Sequence, residues 1–434
     1  MCARHSFPVH LCRRLAEWNQ VFLQEMTMAT NIEPRAVRSG GSPRPPVASR
    51  RSALKVFGAG AATVLVAGTG VVSYRAFDNG VLDPGAGAPY DAWSRWQDDD
   101  SPMGAVGAAI LAANPHNTQP WLFHVTATSV DLFADPARDM PFVDPLRREH
   151  HVGLGCAVEN LVLALVARGH RPTVNLMPDP ADQSHVASLV LVRAPASTSP
   201  LYDAIGARHS NRGPYLAQNV PAAVLDELTD HVTDLPGIGT RWFTSTAEKA
   251  ALSAVIIAAT EAFIADPRQS QDAFGWFRNN RDDIDEHRDG PTLDAQGLSP
   301  VTLTLAKLLP ASSRTAGDAF WLDQTRTVHT ATAAAYGVIT VADTDDPATR
   351  LNAGRALQRI HLAATTLDLG LQHMNQITER VDRERRLGLP ATFEPRLRDL
   401  LAQPGRKPLV TFRLGYPVRA ARPSPRRPLA AVIR

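Results

Sequence analysis

The stretch His116-Asn117-Thr118-Gln119-Pro120-Trp121 constrains this chain more than any other. It follows an apolar run with helical spacing, Gly104 to Ala113, and leads into the alternating segment Trp121-Leu122-Phe123-His124-Val125, which reads as a strand. A helix therefore has to turn directly into a strand. Asn114-Pro115 and Gln119-Pro120 bracket the turn, and a residue before proline is driven out of the helical region, so both flanks are expected to be extended. Such a corner presents His116, Asn117, Thr118 and Gln119 on a stiffened backbone, which suits a planar ligand with polar edges. The same residues also suit an ordinary turn in which Asn and Thr side chains bond to backbone.

The chain has 434 residues, enough for two or three domain-sized units and a large core. Its formal net charge is +2, so no basic field argues for nucleic acid. Cys2 and Cys12 lie ahead of an export-like segment, which leaves a processed chain with Cys156 alone and no internal disulfide. No CxxC or HExxH spacing occurs, and His150-His151 and the scattered histidines read as surface or satisfied core residues, so no metal site is expected.

Residues 1–48 do not read as folded. Pro, Ser, Arg and Gly dominate 34–50, and the apolar run near Val21-Phe22-Leu23 is too short to span a bilayer; Met26 and Met28 are alternative starts. In 49–77 the pair Arg50-Arg51 precedes a Gly/Ala/Val-rich run from Phe57 to Val72, which resembles a twin-arginine export signal; a basic linker before a buried helix is the other reading. No clean Ala-x-Ala site follows, so an uncleaved membrane anchor stands beside cleavage as an expectation. Passage through the twin-arginine machinery places the domain in the periplasm or cell envelope. That route carries folded proteins, which favours a tightly bound cofactor.

Beyond a connector in which Trp93 and Trp96 are expected to pack on the domain, the chain divides into halves at 78–198 and 199–434. The first half reads as helix, corner, hairpin, a buried helix from Gly155 to Arg168 stopped by Gly169, and strands at 173–176 and 186–192. The second leads through Ser199-Pro200 to Arg208-His209-Ser210-Asn211-Arg212. Two arginines at i and i+4 with a serine between them are expected on one helical face or at a helix end, where they match a phosphate or an anionic ring edge; a solvated basic turn competes with that reading. Residues 272–300 lack strong periodicity and read as an irregular lid. A strand at 335–342, an amphipathic helix at 348–369, a capping loop from Gly370 to Gln376 that includes Met374, and a strand at 409–417 follow. The tail carries Arg419, Arg422, Arg426 and Arg427 among prolines, either disordered or folded back onto a phosphate. The element content is α+β.

The corner before a hairpin, the RHSNR segment, the Gly-rich end of a long helix and a terminal strand ending Leu414-Gly415-Tyr416-Pro417 resemble the FMN-dependent nitroreductase superfamily. They are most similar to its double-length, single-chain Acg-like branch, over about Asp91 to Arg427. The resemblance implies two fused halves forming a pseudo-dimer with a single flavin site, because the corner stands only in the first half and RHSNR only in the second. It implies FMN contacts from Arg208, Ser210 and Arg212, from Asn117 with His116 and Gln119 beside it, and from Arg426 and Arg427 at the phosphate; it puts the loop holding Met374 near the flavin's reactive nitrogen. The implied activity is an oxidoreductase in which a small-molecule donor and a nitroaromatic- or quinone-like acceptor use the flavin in turn, with no side chain serving as nucleophile. An exported domain would be remote from nicotinamide nucleotides, so a membrane quinol becomes a candidate donor, and a non-enzymatic flavin-sequestering protein becomes the alternative.

Overall fold

The strands of this chain pair in two antiparallel sheets built on one plan. The computed structural model describes residues 75, 76 and 78–434, and Arg75–Arg434 packs as one unit. Residues 1–48 and nearly all of the 49–77 segment lie outside the described residues. One sheet holds β1 (Trp121–Val125), β2 (Ser129–Ala134), β3 (His170–Leu176) and β4 (His185–Arg193) in the order β1-β2-β4-β3. The other holds β5 (Gly239–Phe243), β6 (Ala335–Val341), β7 (Gly370–His373) and β8 (Lys407–Gly415) in the order β5-β6-β8-β7. The helices of seven residues or more are α1 (Pro102–Ala109), α2 (Arg148–Ala167), α3 (Ala222–Asp230), α4 (Thr246–Ala265), α5 (Pro267–Gly275), α6 (Arg281–His287), α7 (Pro300–Leu308), α8 (Arg314–Gln324), α9 (Pro347–Thr366), α10 (Gln376–Leu387) and α11 (Phe393–Leu401). The fold is α+β.

In each sheet a helix of 20 residues joins the second strand to the third, α2 in the first case and α9 in the second. Each is thus wound β-β-α-β-β once the helices α4–α8, inserted between β5 and β6, and α10 and α11, inserted between β7 and β8, are set aside. These two helices meet at glycines. A Cβ on Gly155 would stand 2.0 Å from the Leu351 carbonyl oxygen, and one on Gly354 would stand 2.1 Å from that of Val152. Each glycine thus faces the residue three positions before the other, and the contact is reciprocal, as a local two-fold relation requires. One apolar core runs from either side of this crossing, through Trp121, Leu154, Leu161, Leu351, Ile360 and Phe412. The free thiol of Cys156 is buried beside it and donates to the Gly354 carbonyl at 3.1 Å. Among the described residues α2 is the one single helix long and apolar enough to cross a bilayer, and most of it lies inside this core.

The structure departs from the sequence expectations in three places that matter for the site. Helix α2 begins at Arg148 rather than Gly155, because its first turn is polar and buried, with Arg148 held by Asp382 and Glu149 by Asn375. Residues 272–300 are not irregular: they contain the end of α5, all of α6 and the 3-10 turn Leu293–Gln296. Side-chain caps from Asp266 and Asn280 start the two helices, and with so few apolar residues α6 gives no periodic signal. Finally, Gly370–His373 is a strand on the edge of β8 rather than a loop. The basic tail folds back. Phe123 N donates to Val432 O at 2.7 Å and Arg434 N donates to Phe123 O at 2.9 Å, so residues 432–434 cover the outer edge of β1.

The glycine crossing sets a clear expectation. Gly155→Ala or Gly354→Ala forces backbone apart where two helices touch and should cost roughly 3 kcal/mol or more, the upper end for overpacking. Gly275→Ala, with nothing within 4 Å of its added carbon, should leave the thermal unfolding midpoint nearly unchanged.

Candidate functional site

The corner keeps one of its two expected flanks. Asn114 is extended (φ −158°, ψ 157°), but His116, Asn117 and Gln119 take left-handed backbone with φ of 46°, 52° and 53°. Gln119 therefore escapes the right-handed region before Pro120 by the opposite route from the one expected. A left-handed non-glycine residue costs about 1 kcal/mol or more, and local bonds offset that cost here. Asn114 Oδ1 accepts from Gln119 N at 2.8 Å, and Thr118 N donates to Pro115 O at 2.9 Å. The corner also sits on α2, where Gly153 leaves room for Asn114 and Pro115.

The side chains of the corner turn to the protein. Asn117 Nδ2 donates to Gly290 O (3.2 Å) and Pro425 O (3.0 Å), while its Oδ1 accepts from Arg426 Nη1 (2.7 Å). Gln119 Nε2 donates to Arg288 O (2.8 Å), and its Oε1 accepts from Arg427 N (2.8 Å). Both amides expected at a ligand edge thus join the corner to two remote segments, 288–290 and 425–427. The Thr118 hydroxyl is buried without a partner.

RHSNR does not lie on a helix. The 3-10 turn Ile205–Ala207 ends before it, and Arg208 is extended (φ −73°, ψ 108°). The two arginines consequently diverge. Arg208, 2% exposed, donates from Nη2 to Leu111 O at 2.8 Å and from Nη1 to His361 Nδ1 at 3.3 Å, with Nε unpartnered. Arg212 donates from Nη1 to Ala295 O at 3.1 Å. Ser210 is half-buried and makes no side-chain hydrogen bond among the described residues. The 288–297 segment therefore rests on both motifs at once, and Gly297 packs so closely that an added Cβ would come within 2.2 Å of Gly213 N.

Arg426 joins this group from the tail. Its guanidinium donates to Ile110 O (2.6 Å), Leu111 O (3.3 Å) and Pro425 O (2.9 Å), and lies over the Trp93 ring at 4.6 Å. Arg427 spends its donors on Gln119 O and Ala431 O. Arg413, which sequence reasoning passed over, is wholly buried in β8. It donates to Gln372 Oε1 (2.6 Å), His329 O (3.2 Å) and Gly213 O (2.7 Å), and covers Tyr215 at 4.1 Å. A lone arginine inside Leu409-Val410-Thr411-Phe412-Arg413-Leu414 was the available signal.

Charge is the unusual property of this region. Arg208, Arg212, Arg413 and Arg426 have no carboxylate within ion-pair distance among the described residues, although their neighbours include His116, His209, His329, His361 and His373. Burial lowers the Arg208 guanidinium to about 10 and pushes Arg426 well below its ordinary value, with Arg208 adding repulsion. Burial, then Arg212, takes His116 to about 4; burial, then Arg208 and Arg212, takes His373 to about 3. These imidazoles are neutral at physiological pH. Nitrogens of His209, His361, His329 and His373 are buried without partners, as is Arg208 Nε. Arg212, His116, His209 and His373 nevertheless keep some accessible surface.

The end of β7 leads elsewhere. Met374 is buried in a second apolar cluster with Phe243, Ile377 and Leu397, and its N–H donates to Thr411 O at 2.7 Å. Asn375 Nδ2 donates to Glu149 Oε2 at 2.5 Å. Burial raises Glu149 well above the usual carboxyl range, with Glu379 and Asp144 adding repulsion, and burial followed by Asp144 and Asp382 raises Glu379 to about 8. Arg148 neutralises Asp382 through two bonds, at 2.5 and 2.7 Å.

No family model matches the chain. Over 116 residues it is 37% identical to Rv3131 of Mycobacterium tuberculosis H37Rv, a protein provisionally named an NAD(P)H nitroreductase, in a match that takes in 26% of this chain and 33% of that protein. Over 85 residues it is 34% identical to the protein named acg of the same strain, also provisionally an NAD(P)H nitroreductase, covering 20% of this chain and 26% of the relative. The chain thus spans about a third, at most, of the length of these curated relatives. Among solved structures, a nitroreductase with bound FMN from Bacteroides fragilis NCTC 9343 aligns with 52% of this chain and 91% of its own, at 14% identity and a TM-score of 0.28. A protein from Bacteroides thetaiotaomicron, provisionally named an NADH dehydrogenase/NAD(P)H nitroreductase, aligns with 54% and 97% at 13% identity and a TM-score of 0.31. Likeness at that level decides nothing about this fold, which rests on its own strand order.

Two outcomes test this geometry. Asn117→Gly keeps the left-handed backbone and loses three hydrogen bonds, so it should destabilise by about 1–3 kcal/mol in urea unfolding; Asn117→Ala should cost about 1 kcal/mol more, because a Cβ returns at positive φ. Glu379 binds its proton more tightly folded (about 8) than unfolded (4.5), so the native state holds the extra proton between those values and loses stability as pH rises through them. Measured against the parent protein, Glu379→Gln should gain stability from pH 5 to pH 8, by at most about 1.4 kcal/mol per pH unit.

Proposed function

We propose that this chain is an FMN-dependent oxidoreductase of the nitroreductase type. The carrying observation is the group of enclosed arginines with no carboxylate partner among the described residues, surrounded by neutral histidines with unpartnered nitrogens. A buried charge without a counter-charge is costly even when carbonyls solvate it, and a phosphate-bearing anion supplies the missing charge. The donor set fits FMN: Arg212, His116 and His373, drawn from both halves of the chain, keep accessible surface, while Arg413 and Arg426 grip backbone carbonyls. The matched segments of the M. tuberculosis relatives support the class.

When bound, FMN supplies the two-electron chemistry that no side chain here provides. The protein's part is to bind the anion, to exclude water with the 288–297 segment, and to place positive charge from Arg212 near it. We further propose that the halves form a pseudo-dimer, on the repeated β-β-α-β-β winding, and that small-molecule donor and acceptor use the site in turn. Nitroaromatics or quinones are the acceptors this reading favours. Export by the twin-arginine route rests on Arg50-Arg51 and the Gly/Ala/Val-rich run from Phe57 to Val72, and cell fractionation tests it.

The experiment is an FMN titration of the full chain followed by anaerobic reduction. Tight binding, weakened at least tenfold in Arg212→Ala, is the expected result; a protein that neither carries nor takes up FMN overturns the reading. One observation favours a second role: the 288–297 segment bonds Asn117, Gln119 and Arg212 together. If NAD(P)H and quinols fail to bleach bound FMN while dithionite succeeds, the protein sequesters flavin rather than turning it over.

A further inference from the structure

Arg208 and Arg212 look equivalent in the sequence, yet their surroundings assign them different work. Arg212 keeps some accessible surface. Arg208 does not; it is 2% exposed and spends its guanidinium on the Leu111 carbonyl and on His361 Nδ1. Arginine has five donors and no acceptor, so the bonded ring nitrogen of His361 has to be the acceptor. The His361 proton is thereby confined to Nε2. His361 is flanked by Arg208, His209 and His373, the His209 backbone also bonds to its ring, and no carboxylate among the described residues acts on it. Its ring packs edge to face against His373 at 5.6 Å, and His373 is the member of the pair that keeps accessible surface.

We propose that Arg208 is a positioning residue which acts through His361, fixing it as the Nε2–H tautomer and so setting the His361–His373 pair, whereas Arg212 meets the anion itself. The ligand part of this inference rests on the flavin reading above; the tautomer part does not. A buried neutral ring with one nitrogen locked has one orientation of its dipole, and that orientation is what Arg208 supplies to the wall behind His373. His361 belongs to α9 and Arg208 to the chain preceding α3, so the lock also ties the RHSNR segment to the central helix crossing.

Two measurements on the full chain test this. The first is the nitrogen-15 spectrum of imidazole-labelled protein without FMN. His361 should appear as a single Nε2–H tautomer, changing to a mixture or to Nδ1–H in Arg208→Met; an Nδ1–H signal in the parent protein, or a spectrum indifferent to Arg208→Met, overturns the lock. The second is FMN affinity in a double-mutant cycle. Arg208→Met and His361→Phe should each weaken binding about tenfold, and the double variant should also fall about tenfold, since both break one device. A hundredfold loss in the double variant means that Arg208 contacts the ligand independently, which overturns the proposal. Arg208→Lys guards against misfolding: it keeps a donor and the charge, so it should fold normally and retain the Nε2–H tautomer that Arg208→Met loses. If the parent protein takes up no FMN, the functional reading fails and the spectrum alone judges the lock.

Discussion

The approach of α2 to α9 at Gly155 and Gly354 is the constraint on which the rest depends. Two helices whose backbones touch at carbonyl distance cannot slide or rotate without collision, so their relative placement is set by sterics rather than by side-chain preference. Each helix is the middle of a β-β-α-β-β unit, and fixing the pair fixes both sheets. The same crossing places Gly153, one half-turn before Gly155, under the corner at Asn114-Pro115, and brings His361 of α9 to Arg208. Site and core are therefore one mechanical object. A change of a few tenths of an ångström at the glycines would be felt at the arginines.

The site then carries an electrostatic debt that the protein settles only in part. Carbonyls after α1 solvate Arg208 and Arg426, and those of Asn211, Gly213 and His329 solvate Arg413. Dipoles of this kind moderate the cost of a buried cation but leave its charge in place. The contrast with the carboxyl cluster is instructive. There Arg148 pairs with Asp382, while Glu149 and Glu379 avoid the problem by keeping their protons. Arginine has no such escape near neutral pH, so one region balances itself and the other keeps the charge that the proposed anion would meet.

Much of the frame was legible in the sequence. Alternation and helical spacing located strands at 121–125, 173–176 and 186–192, inside the observed 121–125, 170–176 and 185–193, and the bodies of both central helices, because each buries one regular face. The corner and RHSNR were visible as motifs. What could not be read was the direction of their side chains. Asn117 and Gln119 present amides that would serve a ligand as well as they serve the backbone, and only the arrival of residues 288–290 and 425–427, remote in sequence, decides between the two. Arg208 and Arg212 suggested a shared helical face through their spacing, but the chain there is extended and sends them apart. Polar buried elements escaped for a related reason. The first turn of α2 and the whole of α10 are rich in charge, and their burial depends on partners such as Asp382 with Arg148 that periodicity does not record.

The bonds at the corner span long stretches of chain: Gln119 to Arg288 is separated by 169 residues and Asn117 to Arg426 by 309. Contacts of that range close the largest loops and bring the smallest local reward, so they form late in folding, after the sheets and the helix crossing have gathered their ends. A chain halfway to its native state would have its strands without these ties. Under the flavin reading proposed above, anion uptake would wait on the completion of folding.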